Sequence, residues 1–270
     1  MMRLLRVFPR RTSFTPTDEL VFIGDPPLFR PEADEVHVSV TFTWDLAEGR
    51  RLADAWREYY PIVRLGGVAF GDDGDFVPGR YVKQGVTFTT RGCNNNCHWC
   101  SVHGREGKLR EIKDFAPGYI IADNNLLQAS RSHIERVFEM LRSQKRAAVF
   151  SGGIQASLVD DHFAELLKTI NVDQLFLAAD TMNAIKPLEK ALQKLAFLKR
   201  FRLRVYTMIG LETIDEALER LTAVWELGGM PFAQLYQPPE KLIDYPKEWR
   251  DLARTWSRPA AMATLMKGKL

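Results

Sequence analysis

The stretch VTFTTRGCNNNCHWC, from Val86 to Cys100, decides the fold of this chain. Its first half is β-branched and apolar, which is typical of a buried β-strand. Its second half carries three cysteines in a C-x3-C-x2-C arrangement, at Cys93, Cys97 and Cys100. A strand that runs directly into a loop of closely spaced thiols indicates a metal or cluster site at the end of that strand.

These three cysteines are the only ones among the 270 residues. An odd, clustered set is a poor disulfide framework and favours a metal site in a reducing compartment. Two kinds of site suit three thiolates. Zinc would take His98 or His103 as its fourth ligand, whereas a four-iron cluster would keep one iron open for a substrate or cofactor.

Composition excludes several classes of protein. Hydrophobic residues make up 46% of the chain and charged residues 26%, which is typical of a globular protein with a buried core. A net charge of +3 is too weak to argue for nucleic acid by itself. No apolar run reaches the length of a transmembrane helix, so we expect a cytoplasmic protein that does not enter a membrane.

The residues after Val86 alternate regularly between strand and helix patterns. Six strands that alternate with helices predict parallel βα units, and six units form a partial barrel rather than a closed eight-stranded one. The predicted strands are Val86–Thr90, Tyr119–Asp123, Ala147–Phe150, Gln174–Ala178, Arg202–Met208 and Phe232–Tyr236. The predicted helices are Ser132–Gln144, Asp161–Ile170, Pro187–Leu198 and Ile214–Leu227, with caps at Ser130 or Ser132, Asp160 and Thr213.

Polar residues follow the predicted strands at the places where they end. In parallel folds the chemistry lies beyond the carboxyl ends of the strands, so these residues and the thiols are expected to share one rim. They are Asp123-Asn124-Asn125, Ser151-Gly152-Gly153, Asp180, Gly210 and Tyr236-Gln237. About half of them are expected to be ordinary turn residues.

The first 79 residues predict a smaller α/β segment. Val38–Phe42 and Ile62–Leu65 read as strands around a helix from Leu46 to Tyr59, with Asp45 as its N-cap. Met1–Arg11 carries four arginines and no acid. We interpret it as a first strand followed by a basic turn, with an organellar transit peptide as the alternative. The turn-rich stretch Gly71–Gly79 is the predicted linker.

We therefore divide the chain into residues 1–79, 80–240 and 241–270. The last segment predicts a helix from about Tyr245 to Trp256. Its arginines, with Trp249 and Trp256, keep nucleic acid as an alternative partner. Of the histidines, His133 and His162 fall in the first turns of helices and are expected to be solvated. His103, after the cysteine loop, is a candidate for substrate contact.

The cysteine spacing, with Trp99 directly before the last cysteine, resembles the radical S-adenosylmethionine superfamily. The six βα units that follow are similar to that family's partial barrel, and the resemblance covers about Val86–Gln237. It implies a [4Fe–4S] cluster on Cys93, Cys97 and Cys100, with S-adenosylmethionine bound to the open iron. It also implies reductive cleavage to a 5′-deoxyadenosyl radical, hydrogen abstraction from an unidentified substrate, and a flavodoxin- or ferredoxin-like one-electron reductant.

The resemblance also assigns cofactor-contacting positions. Asp123, Asn124 and Asn125 stand where the family holds the amino group, although the usual glycine-glycine-acid form is absent. Ser151 or Gln155 would meet the carboxylate of S-adenosylmethionine. Asp180 would bind the ribose, with a helix N-cap as the alternative. The turn at Gly210 would contact adenine, as would Trp99, for which plain core packing is the alternative.

Within residues 1–79, the part from Val38-Ser39-Val40 through Gly66-Gly67 resembles the last βαβ part of the cobalamin-binding domain that precedes many radical enzymes of one subgroup. The cobalamin-ligating Asp-x-His-x-x-Gly motif is missing, and His37 lies at the start of a strand. We interpret this segment as a reduced Rossmann-like remnant that does not bind cobalamin. The alternatives are a cobalamin-dependent methyltransferase relative and a non-catalytic, metal-stabilised binding module. Arg105, Lys108 and Arg110 suit an anionic substrate.

Overall fold

The structure is a computed structural model that describes residues 2–71 and 76–267. The chain forms two compact units. One comprises Met1–Val86 and Pro238–Leu242, and the other comprises Thr87–Gln237 and Ile243–Leu270. Residues 72–75 of the predicted linker lie outside the described part of the chain.

The first unit is a parallel four-stranded sheet with one helix. Its strands have the order β2-β1-β3-β4, and Leu52 and Trp56 of the helix pack against Val36 and Val38. This is the first part of a doubly wound strand order, and β1 confirms the strand predicted near the N-terminus. The elements are β1 (Leu4–Phe8), β2 (Val21–Ile23), β3 (Glu35–Ser39), α1 (Leu46–Arg57) and β4 (Val63–Gly66).

Asp45 does not cap α1 with its side chain. Its buried carboxylate instead pairs with the guanidinium of Arg10, whose Nε donates to Oδ2 over 2.7 Å. Asp45 therefore stands at the predicted N-cap position, but its side chain makes no capping hydrogen bond because its carboxylate is bound by Arg10.

The second unit contains six strands in sequential order. They are β5 (Val86–Thr87), β8 (Ile120–Ile121), β9 (Ala148–Gln155), β10 (Val172–Ala178), β11 (Leu203–Ile209) and β12 (Met230–Leu235). The pairs β8–β9, β9–β10, β10–β11 and β11–β12 are parallel. This confirms the predicted α/β class. The sheet is open, with β5 and β12 at its two edges.

Four helices connect the last five strands, and three of them begin at the predicted caps. The four helices are α3 (Arg131–Arg142), α4 (Asp161–Lys168), α5 (Ile185–Lys194) and α6 (Ile214–Glu226). Ser130 accepts from the backbone N–H of His133, Asp160 caps α4, and Thr213 forms a capping box with Glu216. These side chains satisfy amide groups that have no partner inside the helix.

The two faces of the sheet differ. Leu175, Leu177 and Val205 belong to the large core that the helices cover. The alternate residues Phe176 and Tyr206 lie on the other face, where their rings stack at 4.6 Å. The strand period of two therefore divides each strand between a helix-covered side and an inner side.

Short elements complete the second unit. The antiparallel pair β6 (Thr90–Arg91) and β7 (Arg110–Glu111) flanks helix α2 (Val102–Glu106). The C-terminal helices are α7 (Lys247–Ser257) and α8 (Pro259–Lys267). Trp256 is buried in a core cluster that also contacts Trp249, so Trp256 is not available for base stacking. In the described ranges, no helix combines the length and the apolar character that crossing a membrane requires.

Candidate functional site

The cysteine loop follows β6, which pairs with β7 in a two-stranded sheet, and ends at α2. Its entry is fixed by Gly92, whose φ is +77° and whose N–H donates to Glu106 Oε2 over 3.1 Å. A Cβ at Gly92 would lie 2.3 Å from the carbonyl oxygen of Lys108. Only glycine fits this position, because the loop turns back closely against the residues after α2. The N–H of Cys93 donates to the carbonyl of Gly107 over 3.1 Å.

The three thiols are free, with Cys100 exposed and the other two half-buried. The N–H of Cys100 donates to the carbonyl of Cys97 over 3.0 Å, which forms a tight turn between them. Burial raises the pKa of Cys97, and the nearby Cys100, Cys93 and Asp180 raise it further. Within residues 2–71 and 76–267, no three His, Cys, Asp or Glu side chains are grouped to hold one metal ion.

Asp180 follows β10 and points along the rim towards β11. Its Oδ1 accepts a hydrogen bond from the N–H of Met208 over 2.9 Å. Burial raises the pKa of Asp180, while Arg220 acts in the opposite direction. The helical turn at Met182–Ala184 has no side-chain cap, and neither has α5. The capping alternative for Asp180 is therefore wrong, since its carboxylate binds the N–H of Met208 in β11 and acts electrostatically on Cys97.

Asn124 and Asn125 follow β8 and have different surroundings. The Nδ2 of Asn124 donates to Glu106 Oε2 over 2.9 Å. Asn125 is 3% exposed, and its Nδ2 donates to Gln155 Oε1 over 3.0 Å. Among the described residues, its buried Oδ1 has no hydrogen-bond donor. A buried acceptor without a donor is costly, and the Oδ1 of Asn125 is such an acceptor.

Asp123 is a structural carboxylate. It is 2% exposed, and it accepts from the N–H groups of Thr89, over 2.6 Å, and Thr90, over 3.0 Å. It also accepts from the Thr89 hydroxyl. Burial raises the pKa of Asp123, although these hydrogen bonds act against the rise. Both oxygens are used inside the protein, so Asp123 ties the end of β8 to the segment that carries the cysteines and does not offer the predicted contact to a cofactor.

Ser151 lies within β9 and not at its end. The strand continues through Gly152 and Gly153 to Gln155. Position 152 requires glycine, because a Cβ there would lie 1.6 Å from the carbonyl oxygen of Asp123. The Ser151 hydroxyl donates to the carbonyl of Ile121 over 3.0 Å. The predicted end at Ser151 is therefore wrong, and Gln155 takes its place at the rim.

Gly210 and Trp99 lie at two further positions of the predicted rim. Gly210 ends β11 with a φ of +102°, and a Cβ there would lie 2.5 Å from the hydroxyl of Tyr245. Tyr245 in turn donates to the carbonyl of Tyr236 over 2.8 Å. Trp99 is half-buried, with its ring edge-on to His98 at 4.4 Å. Contact with Tyr245 is sufficient to explain the glycine at 210.

The expectation that His133 is solvated is wrong. Its ring is 1% exposed, and Nε2 lies 3.2 Å from the hydroxyl of Thr89, which itself bonds to Asp123. Nδ1 lies 3.7 Å from Glu111, and burial lowers the pKa of His133. The sequence of α3 does indicate that His133 is buried, because His133 is next to Ile134 among the residues of the buried helix face. His162 is partly exposed, near Glu135.

The basic residues after the cysteines remain at the surface. Arg105, Lys108 and Arg110 are exposed, and Nη1 of Arg110 donates to the carbonyl of Glu106 over 2.6 Å. Glu106 was missed by the sequence analysis, yet it holds both Gly92 and Asn124. It therefore links the cysteine loop to the end of β8.

Comparison with known proteins adds no relative to this picture. Neither a protein-family model nor a curated protein sequence matches the chain.

Proposed function

We propose that this chain is a radical S-adenosylmethionine enzyme and that its second unit is a partial (β/α)6 barrel. One observation carries the proposal. Three free thiols lie on one loop at the edge of a sequential sheet, and Asp180, from a strand further along, is close enough to act on Cys97. In parallel α/β folds, ligands bind beyond the carboxyl ends of the strands, and both the cysteine loop and Asp180 follow such strand ends.

The residues fit a [4Fe–4S] cluster on Cys93, Cys97 and Cys100. A single zinc ion draws its ligands to about 2.0–2.3 Å from one centre. A four-iron cluster binds each thiolate through a different iron, so the thiols need not meet at one point. Glu106 and Asn124 hold the loop from outside without using a thiol, which leaves all three cysteines for the cluster.

With cluster and S-adenosylmethionine bound, the site would supply a 5′-deoxyadenosyl radical for hydrogen abstraction, by one-electron cleavage of the sulfonium. The chain's own residues bind and orient. The donorless Oδ1 of Asn125 would accept from the cofactor's ammonium group. Asp180, whose Oδ1 is held by Met208, would offer its second oxygen to the ribose hydroxyls. Trp99 and the Gly210 turn are the proposed adenine contacts.

The inner face of the sheet would exclude water from the reaction. Phe176, Tyr206 and Phe232 form an aromatic cluster there, with centroids 4.6–5.8 Å apart. Burial raises the pKa of Tyr206 to about 12, and its hydroxyl donates to the carbonyl of Ser151 over 2.8 Å. The phenol therefore stays protonated at neutral pH. A dry, apolar wall protects a reactive intermediate from side reactions.

The proposal implies partners and a compartment. A flavodoxin- or ferredoxin-like protein would supply the electron, and a reducing cytoplasm would keep the three thiols free. The substrate is unidentified. The exposed Arg105, Lys108 and Arg110 favour an anionic one.

Anaerobic reconstitution tests the cluster. We expect about four irons and four sulfides per chain, as one cubane requires, and a paramagnetic signal after reduction that S-adenosylmethionine alters. Cys97→Ala should abolish the cluster, while the matched change Ser101→Ala, on the same loop, should retain it. Stoichiometric zinc that persists through reconstitution, without an iron signal, would contradict the proposal.

A further inference from the structure

Four side-chain amides join the cysteine loop to the ends of two strands. The Oε1 of Gln155, at the end of β9, accepts from Asn95 Nδ2 over 2.9 Å and from Asn125 Nδ2 over 3.0 Å. It also accepts from Gln128 Nε2 over 3.3 Å. Asn95 lies between Cys93 and Cys97, so one oxygen atom connects the loop to β9 and to the residues after β8.

Gln128 reinforces the same connection. Its Oε1 accepts from the N–H of Asn94 over 2.7 Å, and its Nε2 donates to Asn95 Oδ1 over 3.1 Å. Asn94 in turn accepts from the N–H of Leu109 over 3.1 Å. Both residues that follow Cys93 are thus held by side chains from outside the loop.

All three contacts to Gln155 Oε1 are donated by its neighbours. Among the described residues, the side-chain Nε2 of Gln155 donates only to the hydroxyl of Ser157, over 2.8 Å. An acceptor is therefore what this position needs, and a carboxylate would serve these three contacts as well as an amide does. What distinguishes glutamine is its neutrality. A carboxylate beside thiolates or a reduced cluster would disfavour added negative charge.

We propose that Gln155 is a positioning residue whose side-chain oxygen fixes the conformation of the Cys93–Cys97 loop in the metal-free protein. The consequence for the cluster rests on the proposed function; the consequence for the metal-free loop does not. Preorganised ligands reduce the ordering that binding requires, so the amide connection favours cluster assembly. The uncharged amide keeps the reduced state of the cluster accessible.

The test compares Gln155→Leu, which removes the acceptor at similar size, with Gln155→Glu, which keeps it. In metal-free protein, a thiol reagent should modify Cys93 and Cys97 several-fold faster in Gln155→Leu than in the parent. Gln155→Glu keeps the acceptor and should show no such acceleration. Ser157→Ala is the matched control, because it removes the one bond that Gln155 donates and should change nothing.

A second measurement separates positioning from simple packing. In reconstituted protein, Gln155→Glu should shift the midpoint potential of the cluster to a more negative value, because the added charge opposes reduction, while Ser157→Ala should leave it unchanged. If Gln155→Leu does not fold, Asn95→Ala removes one of the three donors from an exposed stretch and should show the same faster modification.

Parental thiol rates in both Gln155→Leu and Asn95→Ala would overturn the inference, even if the protein assembles its cluster. An unchanged potential in Gln155→Glu would overturn its electrostatic part. Failure of the parent to bind iron would instead refute the proposed function, and the thiol rates would still decide whether Gln155 holds the loop.

Discussion

At the scale of single residues, Asp180 offers the sharpest test of cofactor binding. Asp180→Asn keeps an oxygen for the N–H of Met208 and removes the charge that would face the ribose. Losing a charge-assisted pair costs about 1.5–3 kcal/mol, which corresponds to roughly a ten- to hundredfold weaker affinity. Calorimetric titration of reconstituted protein with S-adenosylmethionine measures this loss. Parental affinity in Asp180→Asn, with an unchanged melting temperature, would remove Asp180 from the site.

Gly210 supports a prediction about stability. Gly210→Ala introduces both a strained φ and a clash with Tyr245, whereas Gly228→Ala introduces a positive φ in open space. The backbone cost alone is about 1–2 kcal/mol, so we expect Gly228→Ala to lose about that much and Gly210→Ala distinctly more. Urea unfolding measures both. Equal losses would show that the Tyr245 contact does not constrain this turn.

The individual residues show what sequence can predict at this scale. The three cysteines lie within eight residues, so their spacing can be recognised directly in the sequence. Asn125 and its hydrogen-bond partner Gln155 are 30 residues apart in the sequence, and neither residue type indicates such a contact. Asp123 and Asp180 looked alike as carboxylates after strands. They differ because neighbouring N–H groups and the hydroxyl of Thr89 occupy both oxygens of Asp123.

At the scale of elements, α3 is joined to the cysteine-bearing segment through a buried histidine. Burial holds the pKa of His133 below its ordinary value, which is about 6.5. Below that pH the unfolded chain binds a proton that the folded chain does not, so stability decreases as the pH falls. We expect His133→Gln to lower stability at pH 7.5 and to reduce its decline between pH 7.5 and 5.

The measurement is urea unfolding at a series of pH values. The control His162→Gln removes a partly exposed histidine from the first turn of α4 and should lower stability at pH 7.5 less than His133→Gln does. A His133→Gln protein whose stability declines as steeply as the parent's would contradict this role for the histidine.

Element types were predictable from local pattern, whereas several ends were not. The capping box at Thr213 and the cap at Asp160 lie where their sequences indicate, because caps depend on residues three apart. The sequence predicts that the third strand ends at Phe150, before the observed end of β9 at Gln155, because Gly152 and Gly153 are typical turn residues. Only the close approach of Asp123, a tertiary feature, explains why the strand continues through them.

At the scale of the whole molecule, the first unit is more complete than its sequence suggested. Strand β2, of three residues, was not predicted, so the unit has four parallel strands where the sequence predicts three. His37 is engaged by Glu35 and by the hydroxyl of Tyr81. We therefore predict that the chain does not bind cobalamin. Absorption spectra after incubation with hydroxocobalamin and gel filtration test this, and one retained equivalent would contradict it.

The central claim is that the three-cysteine loop supports reductive cleavage of S-adenosylmethionine. The most direct measurement follows 5′-deoxyadenosine and methionine in anaerobic, reconstituted protein supplied with a strong one-electron reductant. We predict equal amounts of both products from the parent and none above background from Cys97→Ala. A parent that carries about four irons, yet releases no 5′-deoxyadenosine with any reductant tried, would contradict the account.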